Sequence, residues 1–220
     1  MKALIVGATG LIGKQVLEIL INDPEIESVT SLNRNKDEVD GKVTHKKIDF
    51  DNLKQLEFTE QYDLAFCCLG TTIKIAKTKE NFKKVDYQYV VDFAELSKKV
   101  GVTSFSVISA MGASSKSGVF YSKVKGQVEE ALQKVGLKGL LILRPSLLLG
   151  DRKETRFGEK VGEVVMWLLK PIFIGSWRNY AAVQSKHVAQ TMVHATKAQP
   201  IGLRLFSSAE FKLYANLYKL

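Results

Sequence analysis

Tyr121 stands four residues before Lys125 in the stretch "FYSKVKGQVEE", and Ser109 lies twelve residues ahead of the tyrosine. At i and i+4 of a helix, a phenol and an ammonium project from one face. The neighbouring charge is expected to lower the phenol from its reference value near ~10 and to ready it for proton exchange with an alcohol or carbonyl oxygen. The Ser109 hydroxyl is expected to hydrogen-bond that same oxygen. Spacing alone carries little weight, because seven tyrosines in a lysine-rich chain of 220 residues give about one Tyr-x-x-x-Lys by chance. The pair gains meaning only from the elements that hold it.

Those elements alternate. "KALIVG" (2–7) reads as a buried strand and is followed by apolar residues at helical spacing over 11–23, ending before Pro24. Strands are expected at 28–34, 43–50, 62–70, 103–110 and 137–146. Helices are expected at 81–101 and 121–135, closed by Gly101 and Gly136. Nearly continuous apolar strands alternating with amphipathic helices predict an α/β fold, a Rossmann-like doubly wound parallel sheet with helices on both faces. The regularity fades after Gly150. Residues 1–150 are therefore expected to form a dinucleotide-binding core, and 151–220 a small substrate-side cap packed on the same domain.

The first turn of this pattern is "GATGLIG": Gly7, Ala8, Thr9, Gly10, Leu11, Ile12 and Gly13. Glycines here permit a sharp turn, admit a pyrophosphate close to the backbone and let helix and strand pack tightly, while the helix amino end offers N–H donors. An NAD site usually places Asp or Glu about 20 residues beyond these glycines, at the end of the second strand. This chain has Asn33 and Arg34 there. A guanidinium can grip the 2′-phosphate that an acid would repel, so the expected cofactor is NADP (NADPH); the alternative is that Arg34 is a solvated charge. Asp49, at the end of the third strand, is expected to accept from the adenine amine, with Phe50 lining the ring, unless Asp49 only initiates a turn. In this setting Ser109 ends the fifth strand, and Tyr121 and Lys125 open the helix after it. Lys125 is then also placed to hold the nicotinamide ribose, and the three residues describe hydride transfer in which the protein handles the proton.

Bulk properties narrow the field. With 45% hydrophobic residues the chain suits one generous domain. The apolar stretch 164–177 is too short to span a membrane and is broken by Lys170 and Pro171. Trp167, Phe173 and Trp177 within it suit an apolar pocket wall, a subunit contact or ordinary core. The opening residues read as structure and not as a signal peptide. Cys67 and Cys68 sit side by side in an apolar run, which suits reduced thiols and a cytoplasmic location better than a disulfide scaffold. His45, His187 and His194 have no partners at metal-ligand spacing, so no metal is expected. The net charge of +9 comes without an RNA-binding or zinc-finger pattern, so no nucleic acid is expected and the basic surface reads as solvated or as attracting phosphate-bearing ligands.

At "GATGLIG", "LNR", "DFDNL", "FCCLGTT", "FSVISAMGA", "YSKVKGQVE" and "LRPSLLLGDR", in this order from residue 3 to about 156, the chain resembles the short-chain dehydrogenases/reductases, specifically the atypical branch of Tat-interacting-protein-like NAD(P)-binding oxidoreductases. The resemblance implies Ser109, Tyr121 and Lys125 as catalytic residues. It also implies that Leu69, Gly70 and Thr71 run beside the cofactor ribose, with Leu148 and Arg156 near the nicotinamide half. Where many members keep an asparagine on the fourth helix, this chain has Asp86 in "KKVDYQYV". Three functions follow as expectations: an NADPH-dependent oxidoreductase acting on a small carbonyl or alcohol, an NADP(H)-binding regulatory or sensor protein working through a protein partner or homodimer, and a nucleotide-sugar epimerase or dehydratase. The segment beyond 157 is short for the substrate domain of the third.

Overall fold

In the computed structural model, residues 1–149 and 182–217 are described. Strand β1 (Lys2–Val6) turns into helix α1 (Leu11–Asn22), followed by β2 (Ser28–Asn33), β3 (Glu38–Asp40) and β4 (Val43–Lys47). A 3₁₀ stretch (Phe50–Gln55) leads to β5 (Leu64–Cys67). Two short helices, α2 (Ile73–Ala76) and α3 (Lys79–Lys83), then run through a single π-helical turn (Lys84–Gln88) into α4 (Tyr89–Lys99). After β6 (Ser104–Ile108), α5 (Phe120–Val135), β7 (Gly139–Arg144) and β8 (Leu148–Leu149), the chain resumes with β9 (Val183–Gln184), α6 (Ser185–Lys197), β10 (Gly202–Ser207) and α7 (Ser208–Leu217).

Eight strands form one sheet in the order β10-β7-β6-β5-β1-β2-β4-β3, parallel except for β3 at the edge. The doubly wound α/β sheet expected from the sequence is present. Strand β1 pairs with β2 on one side and β5 on the other. The strand order reverses there, at the switch point where such sheets bind ligands beyond their carboxyl ends.

Alternation along the strands builds two cores. Ala3 and Ile5 face one side, joined by Val16 and Leu20 of α1, Val188 and Met192 of α6, and Phe211 of α7. Leu4 and Val6 face the other, against Val90, Phe93 and Leu96 of α4 and Val128 and Leu132 of α5.

Two expectations need correction, and one strand was not foreseen. Strand 43–50 stops at Lys47, because Asp49 caps the 3₁₀ stretch. Strand β3 carries three exposed residues and no apolar alternation to announce it. The division at 150 does not separate core from cap: β10 pairs in register with β7 (Gly202 opposite Gly139), and the apolar stripe of α6 fills the face beside α1. A stripe at helical spacing has the same pattern whether it covers a sheet face or a cleft.

Candidate active site

The glycine turn lies at the switch point. Gly7 adopts φ +76°, and a Cβ at Gly13 would come within 2.1 Å of the Gly7 carbonyl oxygen. Only glycine lets α1 settle this closely on the end of β1. Ala8 and Ile12 are core residues, Leu11 is half-buried, and Thr9 and Gly10 are exposed. Gly10 is the N-cap and brings no capping side chain. The first-turn N–H groups and the positive end of the helix dipole are therefore available to an anion, which fits the pyrophosphate of a dinucleotide. The turn after β5 lies against this loop, since a Cβ on Gly7 would meet the Cys68 carbonyl group at 2.5 Å. Leu69 and Thr71 in that turn are half-buried and Gly70 is exposed.

At the end of β2 the Asn33 side chain is occupied in folding its own turn. Its oxygen accepts from the N–H groups of Asn35 and Lys36, each at 2.8 Å, and its amide donates to the Lys36 carbonyl at 3.0 Å. This Asx turn holds Arg34 exposed, with no acid paired to it among the described residues. The Asp49 carboxylate accepts from the Asp51 N–H at 3.0 Å and from the Asn52 amide at 2.9 Å, which is the turn-initiating alternative. Phe50 does not line an open adenine site. Its ring is buried in the α4-side core, 5.4 Å from that of Tyr89, because the 3₁₀ stretch needs an apolar anchor.

Tyr121 stands in the first turn of α5, with its ring 5.8 Å from that of Phe82. Lys125, one turn on, is almost fully buried, and its Nζ lies 2.8 Å from Asp86 Oδ1. The other Asp86 oxygen accepts from the Thr71 N–H at 2.8 Å. Gly126 lets the chain after β6 press on the helix: a Cβ there would sit 2.1 Å from the Ser115 nitrogen. Burial opposes the Lys125 charge, but Asp86 and Tyr121 outweigh it and hold its pKa above the ordinary lysine value. The Tyr121 phenol is pushed up by burial; Lys125 opposes the rise and Asp86 adds to it. The expected lowering of the phenol is thus corrected, because burial raises it by more than the lysine lowers it, and a buried carboxylate absent from the two-residue reading adds to the rise.

Ser109 is also differently placed. Its buried hydroxyl donates to Glu129, whose carboxylate forms a bidentate pair with Arg144, with Nε at 3.0 Å. Burial opposes the Arg144 charge less than the hydrogen bond to Glu129 supports it, so the guanidinium pKa is raised. Glu129 lies two helical turns beyond Tyr121, roughly 12 Å along the axis. The structure brings Tyr121 and Lys125 together and commits Ser109 elsewhere. Leu148 opens β8 half-buried against the α1-side core. Arg156, with Trp167, Phe173 and Trp177, lies outside the described residues. Sequence reasoning missed Glu129, Arg144 and Gly126. The i, i+4, i+8 series Tyr121, Lys125, Glu129 was the available signal, since it puts a carboxylate on the buried face that carries the lysine.

Comparison with known proteins bears on the fold and the family. The family described as semialdehyde dehydrogenase, NAD-binding domain, matches residues 2–98. Protein HTATIP2 of Rattus norvegicus is 34% identical, covering 86% of this chain and 78% of the relative. The chain belongs to the HTATIP2/FMP52 family. Another member, the mitochondrial protein FMP52 of Candida albicans, is also 34% identical, over 78% of this chain and 82% of its own. The family is an atypical branch of the short-chain dehydrogenases/reductases, as the motifs implied. Among solved structures, the Bordetella bronchiseptica enzyme WbmH in complex with NAD+ shares the fold with a TM-score of 0.69 at 18% identity, over 94% of this chain and 75% of that one. MoeE5, in complex with UDP-glucose and NAD, has a TM-score of 0.69 at 14% identity, over 99% and 82%. Membership of the HTATIP2/FMP52 family supports an NAD(P)-binding, oxidoreductase-like fold. It overturns the cytoplasmic location, since the fungal members are named mitochondrial proteins. Unpaired thiols do not distinguish one compartment from another.

Proposed function

We propose that the protein is an NADPH-dependent oxidoreductase acting on a small carbonyl or alcohol. The observation that carries this reading is Tyr121 and Lys125 on one face of α5, beyond the carboxyl end of β6 and joined through Asp86 to the turn after β5. The first-turn N–H groups of α1 would hold the pyrophosphate, Arg34 the 2′-phosphate, and Leu69–Thr71 would flank a ribose. The bound nicotinamide would supply or accept the hydride. The chain's own part is protonic. Tyr121, with its raised pKa, stays protonated at neutral pH and donates to a carbonyl oxygen; the Lys125 ammonium stabilises the phenolate left behind.

Fluorescence titration followed by a carbonyl panel tests this. NADPH should bind at least about tenfold tighter than NADH, or about 1.4 kcal/mol, and Arg34→Ala should remove most of that gap. Tyr121→Phe should leave NADPH affinity nearly unchanged while turnover falls about 10²-fold. Equal affinity for the two dinucleotides defeats the cofactor choice, and full turnover in Tyr121→Phe defeats the proton role.

One observation favours a second reading. With the Ser109 hydroxyl committed to Glu129, the reacting oxygen loses an expected donor, which suits an NADP(H)-responsive regulator acting through a protein partner. NADPH binding without reduction of any carbonyl, together with a partner captured only in one redox form, would select it.

A further inference from the structure

Asp86 is fully buried, and both of its oxygens are engaged. One meets the Lys125 ammonium at 2.8 Å and the other the Thr71 N–H at 2.8 Å. The turn carrying Thr71 runs directly over the carboxylate, since a Cβ on Gly70 would come 3.8 Å from Asp86 Oδ1. The residue sits in a π-helical turn between α3 and α4, an insertion that re-aims side chains and recurs at functional sites.

We propose that Asp86 is a positioning residue that keeps Lys125 an ammonium inside the fold and couples it to the turn after β5. Its purpose rests on the oxidoreductase reading; its geometry does not. A lysine this deeply buried loses its charge unless an anion faces it. The titratable groups facing Lys125 are Asp86 from the π-helical turn, Tyr121 from its own helix and Cys67 from β5. Burial pushes the Cys67 thiol up to about 12, and the phenol is also raised. Neither supplies a negative charge at neutral pH, so the task falls to Asp86.

Asp86→Asn keeps the shape and an acceptor for Thr71 while removing the charge. NADPH dissociation constants measured from pH 7 to 9.5 should be nearly flat for the unaltered protein. In Asp86→Asn, affinity should fall at least about tenfold across that range as Lys125 loses its proton. Adding Lys125→Arg should flatten the profile again, because a guanidinium does not titrate there. Uniform weakening of Asp86→Asn at every pH, without a slope, would show a merely structural role and overturn the proposal. So would a slope that survives in the double variant. The ¹⁵N signal of the Lys125 ammonium in the unaltered protein decides the matter even if the variants do not fold: it should keep its protonated shift to pH 10, and a transition below pH 9.5 overturns the proposal. Absence of NADPH binding by the unaltered protein would count against the oxidoreductase reading, leaving the ammonium signal as the judge of Asp86.

Discussion

Two ion pairs lie one helical turn apart on the buried face of α5, and they are built for different ends. Lys125 and Asp86 are sealed, with side chains 5% and 1% exposed, and they close onto the turn after β5. Glu129 is as deeply buried, but its partner Arg144 is 34% exposed at the end of β7, and the carboxylate also takes the Ser109 hydroxyl. The first pair ties α5 to the turn after β5; the second fastens α5 to β7. One helix thus carries one sealed ion pair at the candidate site and one half-open pair that anchors it to the sheet. Exposure of a single partner separates them, since a charge that can turn to water is easily spared its neighbour.

Breaking the sealed pair should have the largest effect. Lys125→Met leaves the Asp86 carboxylate without a counter-charge where water cannot reach it, and should cost roughly 3–5 kcal/mol, read from the denaturant midpoint at pH 7. Adding Asp86→Asn should restore much of the loss, because two neutral groups leave no stranded charge. A cost below about 1 kcal/mol for Lys125→Met would mean that the pair is not sealed in solution, and the contrast with Glu129 and Arg144 would collapse.

The second pair should yield more gently. In Glu129→Gln the amide can still accept from Ser109, and Arg144 can turn outward, so the expected loss is about 1–2 kcal/mol in the same assay. Ser109→Ala sharpens the comparison further. A serine serving Glu129 costs about 1 kcal/mol of stability when removed and changes turnover by less than about tenfold. A fall in turnover matching that of Tyr121→Phe would instead show that Ser109 leaves Glu129 for the reacting oxygen.

Much of this arrangement was legible in the sequence because it depends on local pattern. The glycine turn, the apolar strands and the i, i+4 pair are short-range features, and each is found where expected, although the strands expected at 43–50 and 62–70 end early, at Lys47 and Cys67. What escaped depends on long-range pairing. Asp86 is 39 positions from Lys125 in sequence, and no periodicity links a π-helical turn to α5. Glu129 reads in isolation as one more charged helix residue; only the strand that delivers Arg144 makes it a buried anchor. The direction of the phenol shift failed for a related reason, since burial by the surrounding elements raises it first and a carboxylate supplied from another element adds to the rise. Residues 202–207 were mistaken for cap because an edge strand with mostly exposed side chains lacks the apolar run that marked the central strands.

The smallest effect belongs to a third pair, away from the site, where Lys197 at the end of α6 bridges Asp23 and Glu25 just beyond α1. Burial alone would raise the Asp23 carboxyl, but the hydrogen bonds from Lys197 and from the Glu25 N–H outweigh it and hold its pKa below the ordinary 3.8. The unfolded chain therefore takes up this proton before the folded one as pH falls. The pair's contribution is fully present above about pH 5 and is lost as pH drops through the lower folded value. On the basic side, burial opposes the Lys197 charge while Asp23 and Glu25 raise its pKa, so nothing is lost until pH exceeds the ordinary lysine range. Asp23→Asn should cost less than about 1 kcal/mol at pH 7, because Lys197 keeps Glu25 at 2.7 Å. Urea midpoints for the variant and the unaltered protein should differ at pH 7 and converge as pH approaches 3. A gap that stays constant down to pH 3 would show that Asp23 acts through its turn geometry and not through its charge, and would confine the electrostatic comparison to the two pairs on α5.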